Sequence, residues 1–569
     1  MVELVASAVR PGLRLSLKRA WLRARLALAA SKPMRRSYLG ARFAYLAPHI
    51  HQADPSVAAD IAAGQFVLGG RSLLCGNRSP FHLDPPSEGF AQALYGFGWL
   101  AHFEASENMA ARVHARALVR DFLNQQEQSL PAVADLPGVM ARRVIAWVTH
   151  SALLAEGQDI NWYNRLLAQL ARDGARLAVF ARRTDIGMGR LEAAIGLAFH
   201  ALSLECGRKA IPRAERMLDM ALASLTAPDG ATHDRDFGSV ALIAADLVAM
   251  LSLYRIRQMQ PPPSFSSSLA DMIAFLRLVQ HPDGGLMLMN GGGRVPRDLA
   301  GEVIRSRRGQ ASLLASAVET GFERLENSHA VLIADAGMPV RRSCSGRAGA
   351  SALAFEFSTR ADRIIVSCGA PPGADRDIAR LYRSAAAHST ILMEGEGLAG
   401  LRDVPVVTGE IETRLDPLRG SLAPLRARGE NGETLTLGHR GFLDGYGYTL
   451  ERQLTLTDVL PGVIGRDRFI DQAASGQSRL VTLTFHLNPR IRPVRLSRTD
   501  AIVLRLPDEK PGHDQFLFES PGLSLILEES RVFEAGSPQT RSHCIVIEAE
   551  ITGTTEIAWR ILPYLPELS

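Results

Sequence analysis

Three short polar clusters hold the residues whose types and spacing could do chemistry in this 569-residue chain. The first, Asp229-Gly230-Ala231-Thr232-His233-Asp234-Arg235-Asp236, runs into an apolar helical pattern that starts near Gly238. A helix N-terminus favours anions, Arg235 adds a guanidinium that forks onto a carboxylate, and His233 can move a proton near neutral pH. On an extended entry segment the two-residue spacing points both side chains the same way. The plainer reading is a solvated turn in which Asp234 or Asp236 caps the helix.

The second cluster is His281-Pro282-Asp283-Gly284-Gly285, followed by Asn290-Gly291-Gly292-Gly293. Its glycines permit close backbone approach to a ligand, and Asn290 offers an amide. A helix C-cap with a glycine turn would look the same, with His281 favoured by the helix dipole. The third runs from Tyr382-Arg383 to His388-Ser389-Thr390 and then into a strand. It sets a tyrosine, an arginine and a histidine at one strand mouth, although a core histidine satisfied by backbone fits equally.

The elements that must position these clusters change period near residue 320. Before it, apolar residues recur at helical spacing, as in Trp162, Leu166, Leu170 and Leu177, or Val240, Ile243, Leu247, Leu251 and Tyr254. Breaks such as Pro228-Asp229-Gly230 and Pro261-Pro262-Pro263 divide these stripes into about eight to twelve helices between residues 85 and 315. After Gly321 the period is two: Phe355 and Phe357 alternate with Glu356, and Val481, Leu483 and Phe485 with Thr482 and Thr484. The expectation is a multidomain chain, α then β: a basic amphipathic segment over 1–40, helical hairpins over 41–318, and antiparallel sheets over 325–569.

Composition narrows the function classes. Only four lysines (Lys18, Lys32, Lys209 and Lys510) stand among 64 basic residues, so the positive charge is arginine, the better fork for carboxylates and sulfates. No basic run is interleaved with stacking aromatics, which argues against nucleic acid. Five scattered cysteines contain no CxxC pair, so buried thiols are expected rather than a zinc knuckle or redox pair. Walker, dinucleotide, HExxH and nucleophile-elbow signatures are absent.

No run of eighteen apolar residues occurs, so no membrane-crossing helix is expected. Arg23 and Arg25 break the one candidate core of a secretory signal. The segment 1–40 reads as a surface helix packed on the protein, or as a membrane-surface anchor.

The clusters, in this order, resemble the heparinase II/III family of polysaccharide lyases. The resemblance is carried by Ala91–Leu100 (AQALYGFGWL), the Asp229–His233 loop, Asp283–Gly291 (DGGLMLMNG), Gly321–Leu325 (GFERL), Val331–Gly337 (VLIADAG), Phe355–Ser358 (FEFS), Ile365–Pro371 (IVSCGAP) and Ala387–Thr390 (AHST). It implies an incomplete α/α toroid of helical hairpins followed by an antiparallel β-sandwich. A uronate-containing polysaccharide would lie between them and be cleaved by β-elimination.

In that reading His233 or Tyr382 is the base and His388 assists. Arg235, Asn290, Arg383 and His281 hold the substrate, and the partner is an acidic polysaccharide or oligosaccharide. The chain departs from the family pattern where a toroid Asn-His pair would lie (Met188-Gly189-Arg190-Leu191). It departs again where a toroid tyrosine would follow the Asp-Gly loop (Phe237, Ser239). Over Arg347–Ser351 it lacks the early β-domain histidine that is a zinc ligand in some members. No cofactor and no metal are therefore expected.

The alternative is a catalytically altered glycan-binding or envelope-polysaccharide accessory protein on the same scaffold. A minor one is a glycoside hydrolase built on two of Asp229, Asp234, Asp236 and Asp283. The expected location is the cytoplasm or the cytoplasmic face of the inner membrane, with the periplasm as the alternative that the family implies.

Overall fold

Local capping sets the helix starts in the first half of the chain. A computed structural model describes residues 11–48, 53–126, 130–306, 313–338, 340, 344–371, 376–417, 419–474, 476–507, 515–535 and 539–564. A basic helix, α1 (Pro11–Ala30), precedes the hairpins. The longer helices that follow are α2 (Glu88–Gly96), α3 (Met109–Gln126), α4 (Pro137–Thr149), α5 (Ile160–Phe180), α6 (Gly189–Ser203), α7 (Ala210–Leu225), α8 (Phe237–Ile256), α9 (Pro263–Leu278) and α10 (Arg297–Arg305).

Ser87 caps α2 and Asp159 caps α5, each accepting a backbone N–H from the first turn, which satisfies an otherwise orphaned donor. The α5 stripe Trp162, Leu166, Leu170 and Leu177 is buried as its spacing implies. Helix α8 is long and apolar enough to cross a membrane by composition, against the sequence expectation. It lies buried among the other helices, which is why its apolar residues run all the way round.

The second half is two stacked antiparallel sheets. One runs, edge to edge, through Leu525–Val532, Thr540–Ile551, Arg479–Leu487, Arg363–Val366, Phe355–Thr359, Ala330–Asp335, Phe322–Glu326 and Ser316–Ala317, with Ile391–Met393 also paired to Arg479–Leu487. The other runs through Leu425–Gly429, Gly432–His439, Tyr448–Thr457, Val463–Asp471, Thr555–Pro563, Gln515–Glu519, Ala501–Arg505 and Arg492–Arg495. The architecture is thus a helical toroid followed by a β-sandwich. The first strands begin at Ser316 and Phe322, a little ahead of residue 325, because Gly321 at φ +76 turns a hairpin there.

Between the sheets Trp559 stacks on Phe355 (centroids 5.4 Å apart) and meets Phe485 edge-on at 4.8 Å. Its indole N–H donates to Asp467, onto which a fully buried Arg452 forks at 2.6 and 3.0 Å.

The first sheet is buried on both faces where it meets the toroid. In Ala330–Asp335 every residue is buried: Val331 and Ile333 pack with the helices, whereas Leu332 and Ala334 belong to the sandwich core. Alternation in the sequence therefore hides two apolar faces. Glu356, which alternation alone would turn to water, faces the toroid instead and is fully buried. The contact between toroid and sandwich is where the three polar clusters meet.

Candidate functional site

The Asp229–Asp236 turn is tied to the sandwich at both ends. Asp229 Oδ2 accepts the backbone N–H and the hydroxyl of Thr320, both at 2.9 Å. Gly230 sits at φ +86, and a Cβ there would lie 2.0 Å from the Asp271 carbonyl oxygen, so this turn needs glycine. Asp236 caps α8 by accepting from Ser239 N at 2.9 Å.

The side-by-side placement expected of His233 and Arg235 is corrected. Arg235 adopts φ +55, which breaks the extended alternation and swings its guanidinium inward. There it is 2% exposed, 2.5 Å from Asp335 Oδ1 and 4.5 Å above the Phe322 ring. It is a strut between toroid and sandwich, closed to a substrate. His233 is half-buried on the same turn.

Asn290, His281 and His388 also lie in the contact between the halves. The Asn290 amide donates to Ser351 Oγ at 2.9 Å and accepts Gly349 N–H at 2.8 Å, while its backbone oxygen accepts from Phe237. Both ends of that amide are occupied by protein. His281 bonds Ser358 Oγ at 2.8 Å and Glu356 Oε2 at 3.2 Å. Burial pushes His281 well below its usual range and Glu356 up to about 7, so the pair is a buried domain contact rather than a substrate clamp.

His388 is 2% exposed, and neither ring nitrogen hydrogen-bonds a described protein group. Burial, with His486 beside it, pulls it down to about 3. It does reach the toroid side: a Cβ on Gly349 would lie 3.2 Å from both His388 Nε2 and Asn290 Oδ1.

Arg383, at the end of helix α11 (Arg376–Arg383), spends its guanidinium on the Ser345, Ala348 and Thr413 carbonyls at 2.8–3.2 Å, so it too is a strut. The Tyr382 hydroxyl accepts from Gln539, and burial pushes its pKa up. The sequence-selected residues are therefore gathered at the contact between domains, but as fasteners more than as an open constellation.

What stands open at that contact is a lattice in which the sequence singled out Asp234 and Asp236 but not the arginines that meet them. Arg142 on α4 forks onto Asp246 on α8. Arg294, at the end of the Asn290–Arg294 turn, pairs with Asp236. Arg347, from the sandwich, donates to Glu192 on α6 at 2.7 Å and to Ser239 Oγ at 2.9 Å, with Asp234 at 3.9 Å. The three arginine side chains are 35%, 35% and 39% exposed, whereas Asp234, Asp236 and Asp246 are buried.

Glu192 more than offsets burial at Arg347 and raises its pKa. Burial and the neighbouring Asp236 push Asp234 up to about 6. A further sequence signal, which was missed, is Asp246, the single charge ahead of Arg255 in an otherwise apolar helix.

A concavity of about 580 Å³ opens beside His281, away from this lattice, and is lined by Arg277, Arg324, Arg360 and Arg426. Arg324 and Arg360 both pair with Glu326, and Arg426 pairs with Glu323. The hydrolase candidates are likewise engaged. Asp283 takes both Arg363 nitrogens at 2.8 and 2.9 Å, and Asp229, Asp234 and Asp236 hold the turn. Among the described residues no three His, Cys, Asp or Glu side chains are grouped to hold a metal, so these residues do not fit the zinc of some family members.

Residues 309–560 match the family described as heparinase II/III-like, C-terminal. FtsZ-localized protein C of Caulobacter vibrioides is 28% identical over 469 residues, which cover 80% of this chain and 79% of that protein. The crystal structure of heparinase III superposes with a TM-score of 0.68 at 11% identity, over 95% of this chain and 89% of that one. The Streptomyces coelicolor A3 chondroitin AC lyase, solved with chondroitin sulphate, gives a TM-score of 0.51 at 10% identity, over 97% and 83% of the two chains.

Proposed function

Because residues 309–560 of this chain match the heparinase II/III-like C-terminal family and the whole chain shares the fold of heparinase III, we propose that it is a polysaccharide-lyase-like protein that holds a glycan at the toroid–sandwich contact without cleaving it by β-elimination. The observation that carries this reading is the pairing of every open arginine of the lattice with a carboxylate of the protein itself. Elimination from a uronate needs the developing negative charge on the sugar carboxylate to be stabilised by groups set in place beforehand. Here three guanidiniums face four carboxylates, Asp234, Asp236, Asp246 and Glu192, so an incoming uronate must displace one of them.

Base strength points the same way. His388 is held down near pKa 3 and sealed, and Tyr382 is pushed up. Neither matches the base near neutral pH that efficient proton abstraction asks for, which leaves His233 as the one candidate base for substitution to test. An uncharged or sparsely charged saccharide fits better. Its hydroxyl and amide groups can donate to the carboxylates and accept from the outer guanidinium edges without breaking a pair. The likeness to a protein named for localisation with FtsZ supports placing this chain among accessory proteins of envelope growth.

The test is a panel of acidic and neutral polysaccharides, including the producing cell's own envelope glycans, assayed by pull-down and by the near-ultraviolet absorbance of unsaturated product. Binding without product is expected. Product formation from a uronate polymer would restore the lyase reading.

A further inference from the structure

The positive charge of the chain is concentrated in one stretch. Between Glu3 and Asp54 lie ten arginines and lysines and no acidic residue, which leaves the remainder net negative although the whole chain carries +5. Helix α1 is the centre of this stretch, and it has two different apolar sides.

One side is used. Leu22 is 3% exposed, Leu15 and Leu26 pack against the helical core, and Arg19 donates at 3.0 and 2.9 Å to the Val406 carbonyl of a sandwich hairpin. These contacts fix the rotation of the helix about its axis, so the other side cannot turn inward.

That other side is apolar as well. Leu13, Leu17, Trp21 and Leu28 are each between 51% and 59% exposed. At 100° per residue they fall within an arc of about 80°. Only Ala24 shares that arc; Arg14, Lys18 and Arg25 line one edge of it, and Arg23 lies further round beyond the other. The Arg25 and Arg183 guanidiniums lie 4.8 and 5.4 Å from the Trp21 ring centre. A helix that merely covered the toroid would show water polar residues here.

We infer that α1 is a docking surface for an anionic lipid bilayer: it lies flat on the membrane, sinks Leu13, Leu17, Trp21 and Leu28 below the headgroups, and places Arg14, Lys18, Arg23 and Arg25 among the phosphates. The charge on the stripe selects this occupant over a second copy of the chain, because two such helices face to face would bring cations against cations. Amphipathic basic helices with an aromatic at the boundary bind in this manner, and two weak signals, apolar burial and charge, act together. The inference stands independently of how the toroid–sandwich contact treats glycans. It places the protein at a membrane surface.

The experiment is co-sedimentation of the full chain with vesicles rich in phosphatidylglycerol, or of phosphatidylcholine alone, at low and high salt. Binding to the anionic vesicles is expected to exceed that to the neutral ones by about tenfold or more, and to weaken with salt. The double variant Leu17→Glu/Trp21→Glu should lose most of it while keeping the wild-type circular dichroism and melting curve. Arg14→Gln/Lys18→Gln/Arg25→Gln should lose the preference for anionic lipid. Wild-type protein left in the supernatant with anionic vesicles at low salt would overturn the inference. So would double-variant protein that sediments as well as wild type. A dimer in ultracentrifugation that this variant dissolves, with no vesicle binding, would assign the stripe to self-association instead.

Discussion

Arg347 and Glu192 join the two halves of the molecule: Nη2 of Arg347, on a sandwich loop, donates to Oε1 of Glu192 on the toroid helix Gly189–Ser203 at 2.7 Å. Arg347 is the most exposed of the three arginines of the lattice, and its own protein neutralises it. Glu192→Gln should therefore release a guanidinium for an external carboxylate and raise the affinity for uronate oligosaccharides by about five- to tenfold, since charge-assisted forks are the stronger hydrogen bonds. Arg347→Ala should weaken binding of neutral and acidic glycans alike. Isothermal titration with matched neutral and acidic oligosaccharides checks both, and unchanged affinities in the two variants would remove the lattice from the binding surface.

Arg235 and Asp335 form a buried pair, and breaking it leaves a carboxylate in the contact between the domains. Arg235→Ala should cost about 3–5 kcal/mol in a urea titration, less whatever Ser351 and the Gly337 N–H restore to Asp335. Glycan affinity per folded molecule should stay the same. A stable variant with lost binding would make Arg235 a ligand after all.

Legibility of the fold rested on periodicity. The α5 stripe and the Asp236 cap follow from residue type and spacing, and so does the change of period near residue 320. Two-sided burial of the Ala330–Asp335 strand did not show, because alternation between two apolar faces cannot say which one meets helices. The site was legible only as segments. The inward turn of Arg235 depends on a left-handed backbone that a non-glycine residue seldom adopts. The Arg142–Asp246 and Arg347–Glu192 pairs join residues more than a hundred positions apart, which no local pattern encodes.

Acid should destabilise the fold through its buried histidines. His388 is lowered to about 3 and His200, His439 and His486 to about 4, in each case mainly by burial. Each is neutral when folded, so its contribution is full above the unfolded value near 6.5 and is lost as pH falls towards the folded one, by about 1.4 kcal/mol per pH unit per group at most. Asp234 and Glu356, both raised, act in the opposite sense: their contributions are present at low pH and fade as pH rises to about 6 and 7. The histidines outnumber them, so chemical stability should fall from pH 6.5 to 4. His388→Asn should flatten that slope, and an unchanged slope would contradict the assignment of a neutral, sealed His388.

Gly230 has no room for a side chain. Gly230→Ala would place its Cβ 2.0 Å from the Asp271 carbonyl oxygen on a backbone at φ +86. A loss of about 2–3 kcal/mol or more is expected from the strained backbone and the displaced turn. The melting temperature checks it, and a variant as stable as wild type would mean that the turn is free to move.

A contact that holds glycan without eliminating it forms no unsaturated product. The direct measurement is near-ultraviolet absorbance during prolonged incubation of the protein with uronate polymers and with the producing cell's own envelope glycan. No rise above a protein-free control is predicted, for wild type and for His233→Ala alike. A rise with wild type that His233→Ala or Tyr382→Phe abolishes would contradict the account and restore elimination at this contact.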